Sequence, residues 1–204
     1  MATTTRRHLS AEARRAEILE ACRHLFAERR YRAVSTADIA QAAGVSWGLV
    51  AHYFGDKAGL YRAVLASIAE SGREPEPVDG TLEERVRAVV EHGLATIERS
   101  ASSWLAVIGG LELEHDPAIP EIVERGRERA VDLLTAALGE DAAGLAPHHL
   151  RAVGRSAVGL IETGAQEWLL RERLTRAQAA AFVTASIVGL VDVAHRTLDE
   201  GAPR

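Results

Sequence analysis

Hydrophobic residues recur at the three- and four-residue spacing of amphipathic helices along most of this 204-residue chain, and no segment shows a convincing strand alternation. Prolines stand mostly between the periodic segments, where helices begin or end. The pattern therefore predicts an all-α fold, with helices at about 11–29, 36–43, 47–53, 57–71, 81–99, 102–114, 117–139, 147–172 and 175–199.

The stretch 36–53 has the spacing of a helix-turn-helix. Ser35 and Asp38 have the separation of a capping box at the start of the first of two short helices. Gly44 is free to adopt the left-handed conformation that ends a helix, and Ser46 is a suitable N-cap for the second one. These signals predict two short helices that cross closely at a tight turn.

The second helix of such a unit presents its N-terminal residues to the major groove of DNA. Trp47 can contact a thymine methyl group or the sugar–phosphate backbone, or it can pack on the first helix. His52 can donate to a purine or a phosphate, or remain solvated. Lys57 begins the next helix, where the positive helix end favours phosphate. The candidate DNA-binding residues are Thr36, Ser46, Trp47, Gly48, Leu49, His52, Tyr53 and Lys57.

Charge is divided unevenly along the chain. Residues 1–70 contain ten Arg or Lys and seven Asp or Glu, a net charge of +3. Residues 71–204 contain fourteen and twenty-two, a net charge of −8, which gives the overall −5. A basic module on an acidic body is typical of a DNA-binding domain joined to a regulatory domain, although chance also produces such asymmetry.

The stretch 71–80 is rich in proline, glycine and acidic residues and is the predicted domain boundary. We expect a flexible basic arm over 1–10, an N-terminal three-helix helix-turn-helix domain over 11–71, and a C-terminal helical bundle over 72–204. The arm carries an Arg-Arg-His sequence that can enter the minor groove of DNA or form a disordered tail.

Composition excludes several classes of protein. Apolar residues make up 47% of the chain, enough for a buried core, but no apolar run is long enough to cross a membrane. The N-terminus lacks the apolar region of a secretory signal, so we expect a cytoplasmic protein with no membrane partner. Cys22 is the single cysteine, and the Glu-x-x-His at 112–115 is a single copy, so we expect no metal site. No catalytic or cofactor motif stands out, which argues against an enzyme and against a cofactor.

The sequence ILEACRHLFAERRYRAVSTADIAQAAGVSWGLVAHYFGDKAGLYRAVL resembles the DNA-binding domain of the TetR family of bacterial repressors. The resemblance covers about residues 14–66, and its main features are the first-helix "LF", the "ST…DIA…AGVS" core and the closing "YF…K…L". It implies a homodimer, an all-helical C-terminal effector pocket, and release of operator DNA when a ligand binds.

The segment GLVAHYFGDKAGL is also similar to the betaine/choline-responsive branch of that family. A quaternary ammonium pocket requires an aromatic cage, and only three of the nine aromatic residues follow residue 70, so we do not expect choline as the effector. Ala51 stands where the family often has a tyrosine, and Trp47 where a polar or basic residue is common. Both lie on the predicted DNA face, so relatives do not define the operator.

Helices over 81–170 carry aliphatic residues on more than one face, which predicts a mainly apolar cavity. We expect a hydrophobic effector, neutral or cationic because this part of the chain is acidic. Each polar candidate, taken alone, can instead be a rim or solvated residue. The candidate effector-binding residues are Leu65, Ile68, His92, Trp104, Glu112, Glu162 and Gln166.

The last predicted helix, 175–199, is apolar almost all round and needs cover on more than one side. Together with the preceding helix it can form half of an intermolecular four-helix bundle, or it can be buried within one subunit. The candidate dimer-interface residues are Ile161, Ala165, Trp168, Leu169, Phe182, Ala185, Gly189 and Val193.

The sequence thus predicts a ligand-responsive transcriptional repressor that binds a palindromic operator as a homodimer. The alternative is a ligand-independent helical regulator or a protein-interaction module, and a helical enzyme is less favoured.

Overall fold

The computed structural model describes residues 10–70, 79–108 and 116–198, with side-chain detail throughout except at 106–108. Its helices are α1 (Ala11–Glu28), α2 (Thr36–Ala43), α3 (Trp47–Phe54), α4 (Lys57–Glu70), α5 (Leu82–Arg99), α6 (Ala101–Ile108), α7 (Ala118–Leu138), α8 (Pro147–Leu169) and α9 (Arg176–Leu198). These ranges contain no strand, and the all-α prediction is confirmed. The predicted arm up to residue 9 and the predicted helical residues 71, 109–114 and 199 lie outside the described residues.

The chain forms two compact units, of which the first contains α1–α3 and most of α4. Ser10 caps α1 by accepting a hydrogen bond from the Ala13 N–H at 3.1 Å. Ile18, Cys22 and Phe26 recur at helical spacing along α1 and are fully buried. This face forms the core of the N-terminal unit.

The N-terminal unit also contains 102–108 and Asp116, which the predicted division at 71/72 had assigned to the second domain. The buried Ser103 hydroxyl donates to the Phe26 carbonyl at 3.1 Å, and the Arg62 guanidinium pairs with the Asp116 carboxylate at 2.5 Å. Both contacts join residues more than fifty positions apart. Sequence periodicity identifies helices but not such distant pairs, which is why the prediction missed this grouping.

The second unit is a bundle in which α8 packs against α7 and α9, and α5 packs against α7, α8 and α9. Glycines set two of these approaches. A Cβ at Gly93 would lie 3.3 Å from the Ile161 side chain, and one at Gly164 would lie 2.6 Å from Val183 Cγ2. The approach of α8 to α9 at Gly164 therefore leaves no room for a side chain, whereas a side chain at Gly93 would require a small shift of Ile161.

Ion pairs tie α7 to α8 on the bundle's surface. Arg155 pairs with Glu124 at 2.8 Å and also with Glu128, while Arg151 pairs with Asp132 at 3.0 Å and with the same Glu128. Exposed pairs of this kind contribute little individually, but a shared carboxylate links two arginines one helical turn apart. The network favours one register of α7 along α8.

Helix α9 is long and apolar enough to satisfy the length and composition of a membrane span, with a mean hydropathy of 1.7. Its buried face, which includes Val183, Ile187 and Val191, packs in the bundle against α5 and α8. One such helix is weak evidence of a membrane span, because core helices meet the same criterion, and 39% of its apolar window is buried inside the protein.

Candidate nucleic-acid interface and regulatory helices

Local hydrogen bonds fix the α2–turn–α3 segment. The Ser35 hydroxyl accepts from the Asp38 N–H at 3.1 Å, while the Asp38 carboxylate accepts from the Ser35 N–H at 2.7 Å, so the predicted capping box is confirmed. Gly44 ends α2 with φ of 63°, in the left-handed region as expected. Ser46 then caps α3 by accepting from the Leu49 N–H at 3.3 Å.

Arginine adds a tertiary contact to this cap. Arg29, just after α1, pairs with the Asp38 carboxylate at 3.2 Å and donates to the Ala33 carbonyl. Hydrogen bonds from Ser35, together with Arg29, hold the pKa of the Asp38 carboxyl well below its usual range. The carboxylate therefore stays ionised at neutral pH and keeps the start of α2 attached to the end of α1.

Helix α3 buries one face and presents another. Val50 is fully buried, whereas Gly48 and His52 are exposed. Trp47 and Leu49 are half-buried, so the tryptophan neither enters the core nor stands free in solvent. The other predicted contacts are the exposed Thr36 and Ser46 and the half-buried Tyr53 and Lys57. All eight lie in the N-terminal unit, on or beside α2, α3 and the start of α4.

Two cations beside α3 lie over aromatic rings. The Arg15 guanidinium carbon lies 4.9 Å from the centre of the Phe54 ring, and Lys57 Nζ lies 4.1 Å from the centre of the Tyr31 ring. Arg15 and Tyr31 were not among the predicted site residues. Arg15 is 39 positions from Phe54, and Tyr31 is 26 positions from Lys57. Helical spacing carries no signal for pairs so far apart in the chain.

The beginning of α4 holds a carboxylate that the sequence interpretation also missed. The Asp56 carboxylate accepts from the Gly59 N–H at 2.6 Å, so it occupies one of the N-terminal donors that a phosphate would otherwise use. A phosphate near Lys57 would consequently depend on the lysine ammonium more than on the helix end.

The predicted effector-binding residues divide between the two units. Leu65 and Trp104 belong to the N-terminal unit, and Glu112 lies outside the described residues. The other four belong to the C-terminal unit and are half-buried: Ile68, His92, Glu162 and Gln166. Their role in effector binding stays a prediction.

Glu162 has a partner that changes its chemistry. Arg127 donates from Nε at 2.8 Å and from Nη2 at 3.1 Å to the two carboxylate oxygens of Glu162. This bidentate pair neutralises the Glu162 carboxylate, which therefore offers no unpaired negative charge to a cationic ligand. Burial, with nearby Arg99 and Arg129, lowers the pKa of His92, so this imidazole is neutral at neutral pH.

The predicted dimer-interface residues separate into inward and outward sets. Ile161 and Ala165 are buried within the protomer, at 6% and 0% exposure, so their prediction as intermolecular contacts is wrong. Helical period alone did not show that this face of α8 meets α5 and α9. Trp168 and Leu169 are half-buried, and the four predicted residues of α9 are exposed: Phe182, Ala185, Gly189 and Val193.

These four exposed residues of α9 form a strip that is apolar and, at its centre, flat. Phe182 is 63% exposed and Val193 is 44% exposed. A Cβ added at Gly189 would meet nothing within 4 Å, and the same holds for the exposed Gly159 on α8. A second helix can approach closely at positions without side chains. We name the four α9 residues Phe182, Ala185, Gly189 and Val193 the α9 strip.

Comparisons with known proteins agree with this architecture. Residues 18–64 match the family model described as bacterial regulatory proteins, tetR family, and residues 82–190 match the Tetracyclin repressor-like C-terminal domain. The matches therefore cover α2 and α3 with parts of α1 and α4, and most of the helical bundle.

Individual relatives show similar coverage. The chain is 29% identical to the HTH-type transcriptional regulator BetI of Burkholderia thailandensis over 74% of this chain and 79% of that protein. It is 26% identical to the HTH-type transcriptional activator FasR of Mycolicibacterium smegmatis, over 81% and 76% respectively. A crystal structure of a tetR-family transcriptional regulator from Streptomyces coelicolor superposes with a TM-score of 0.78 at 27% identity, covering 92% of this chain and 84% of that one.

Proposed function

This chain belongs to the TetR family of bacterial regulatory proteins, and we propose that it represses transcription as a homodimer whose operator binding is controlled by a small hydrophobic molecule. Its family and relatives are transcriptional regulators rather than enzymes. The observation that carries the proposal is α3, a capped helix that buries Val50 and leaves Gly48 and His52 exposed.

In the proposed complex the first turn of α3 enters the major groove. Gly48 has no side chain, so the backbone can approach the DNA closely there. His52 reads a base edge, Trp47 contacts a thymine methyl group or the adjacent sugar–phosphate backbone, and Tyr53 and Lys57 contact phosphates. Because a dimer carries two copies of α3, we expect a palindromic operator with half-sites about 34–36 Å apart.

We assign dimerisation to the α9 strip. An apolar patch that includes an aromatic side chain exposed over 63% of its surface needs a partner, and a symmetric copy of the same strip supplies one. The open space at Gly159 and Gly189 permits the close helix approach of an intermolecular four-helix bundle.

The effector is proposed to be neutral rather than cationic. Glu162 is already paired with Arg127, and His92 lies near two arginines, so these positions do not attract a cation. The effector must bind the DNA-incompetent dimer more tightly than the DNA-bound dimer, since equal affinity shifts no equilibrium. A preference of about 100-fold corresponds to roughly 2.7 kcal/mol per site.

The test of DNA binding starts from fragments selected out of genomic DNA, with affinity measured by fluorescence anisotropy. Replacing His52 with alanine should weaken specific binding by about 1–3 kcal/mol and relax preference at one base pair. The matched control is His24→Ala, which removes a histidine whose side chain is 79% exposed on α1 of the same unit. Failure to select any DNA, or equal effects of the two substitutions, would reject the proposed role of α3.

A promoter–reporter assay then separates repression from activation, because deletion of a repressor raises expression and deletion of an activator lowers it. Uncharged hydrophobic compounds titrated into the protein–DNA complex should release the DNA. If no such compound changes the anisotropy while specific binding is intact, the protein is a ligand-independent regulator.

A further inference from the structure

Lys57 is the single lysine of the chain and is held over an aromatic ring. Its Nζ lies 4.1 Å from the centre of the Tyr31 ring, well within the distance at which a cation interacts with a π face. The two residues come from different elements, the first position of α4 and the short 3₁₀ turn Tyr31–Ala33 that follows α1.

The Tyr31 ring is itself a fixed platform. Its centre lies 4.9 Å from that of Tyr61 and 6.3 Å from that of Phe26, whose planes it meets at 43° and 22°. Phe26 and Tyr61 are almost completely buried and lie 5.0 Å apart. Because the Tyr31 ring packs on two core residues, it cannot move together with the Lys57 side chain. The ring therefore determines the position of the lysine.

A lysine at the start of a helix is unfavourable, because the helix dipole is positive there. The π face of Tyr31 offers compensating electron density, and it contacts one side of the ammonium group. An ammonium group carries three N–H donors in different directions, and the half-buried Lys57 remains partly accessible to a phosphate oxygen. The ring also restricts a side chain that otherwise has many rotamers, which lowers the entropy lost on binding.

We propose that Tyr31 is a positioning residue for DNA binding: its ring holds the Lys57 ammonium where it contacts a DNA phosphate. The inference rests on the proposed DNA-binding function and adds to it a residue that itself need not touch DNA. A purely structural Tyr31 would instead stabilise the N-terminal unit without any dependence on Lys57.

The placement can be measured on the free protein because lysine labelling reports on one residue only. In protein made with ¹³C-lysine, the ε-methylene protons of Lys57 should be shifted upfield by the ring current. The shift should persist in Tyr31→Phe, which keeps the ring, and largely disappear in Tyr31→Leu. An ε-methylene signal at the position of free lysine in the unmodified protein would overturn the inference.

The functional consequence is measured by a double-mutant cycle with Tyr31→Leu and Lys57→Met, using a duplex of about 30 base pairs at several salt concentrations. Tyr31→Leu should weaken binding about 2- to 5-fold when Lys57 is present, and Tyr31→Phe should bind like the unmodified protein. In the Lys57→Met background, Tyr31→Leu should have no further effect. Lys57→Met should also reduce the slope of log affinity against log salt by about 1 per subunit.

Thermal denaturation of each variant sets a temperature at which all four proteins of the cycle are folded. Equal losses from Tyr31→Leu in both backgrounds, or no loss when Lys57 is present, would show that Tyr31 does not act through Lys57. Either result leaves the DNA-binding function standing. If the unmodified protein binds neither this duplex nor genomic fragments, the proposed function is wrong and this inference falls with it.

Discussion

Replacing Phe182 with alanine should dissociate the proposed dimer without unfolding the protomer. The side chain is 63% exposed on α9, so its removal leaves the packing of α9 against α5 and α8 largely unchanged. The cost of the substitution falls instead on any partner that covers this ring.

The magnitude follows from the exposed fraction. Complete burial of a phenylalanine side chain contributes about 1.5–3 kcal/mol. A partner that covers the 63% of Phe182 still exposed in the protomer should therefore contribute roughly 1–2 kcal/mol. A symmetric interface buries two copies, which gives about 2–4 kcal/mol for the dimer. The dimer dissociation constant should therefore rise about 30- to 700-fold.

Sedimentation velocity over a range of protein concentrations measures this constant directly, and circular dichroism checks that the helices remain. Phe182→Leu is the matched control, because it keeps an apolar side chain at the same position and should change the constant much less. Gly189→Glu is a second disruptive variant, since it places a charge in the open centre of the strip. Both disruptive variants should also weaken specific DNA binding, because separated protomers each bind only one half-site.

The assignment of the α9 strip would be refuted by a Phe182→Ala protein whose dimer dissociation constant equals that of Phe182→Leu. A protein that is monomeric before any substitution, at the concentrations at which it binds DNA, would refute dimer-dependent binding altogether.

Three further predictions concern the cores of the two units. Gly164→Ala should destabilise the bundle by about 1–3 kcal/mol in urea denaturation, because the added Cβ would lie 2.6 Å from Cγ2 of the β-branched Val183. Val183→Ala should reduce that penalty. If the effects of the two substitutions were additive in the double variant, the proposed clash would be contradicted. Burial raises the pKa of the Cys22 thiol to about 11, so this thiol should react very slowly with a thiol reagent at pH 8 in the native protein and fast in the unfolded protein. Rapid labelling of the native protein would contradict the burial of Cys22 in the core. As the pH rises through about 9, the thiol ionises in the unfolded protein before it ionises in the folded protein. Cys22 should therefore make the free energy of unfolding fall between about pH 9 and 11. Cys22→Ala should remove this pH dependence.

Local signals explain why much of the fold could be predicted from the sequence. Ser10, Ser35 and Ser46 each cap a helix through a hydrogen bond within three residues, and Gly44 ends α2 by its own backbone conformation. Such interactions are encoded in adjacent letters of the sequence, and they locate helix ends without knowledge of the tertiary structure.

The remaining features depend on residues that are distant in the chain. Helical period placed Ile161 and Ala165 on an apolar face, but it could not show that α5 and α9 of the same protomer cover that face. It marked Glu162 as polar without revealing Arg127 as its partner. It likewise singled out Lys57 but not the ring of Tyr31 beneath it. In each case the missing information is which helix packs where, and helical spacing does not carry it.

The Ser103–Phe26 and Arg62–Asp116 contacts have a consequence for how such regulators can be recombined. The chain passes between the two units three times, after Ser67, after Ala101 and after Asp116. A chimera that exchanges only residues 1–71 would give Ser103 and Asp116 foreign neighbours in place of the carbonyl and the guanidinium that they contact here. The unit that carries the proposed DNA-reading helix is therefore discontinuous in the sequence. Its DNA specificity should transfer between relatives only when residues 102–116 are exchanged together with residues 1–71.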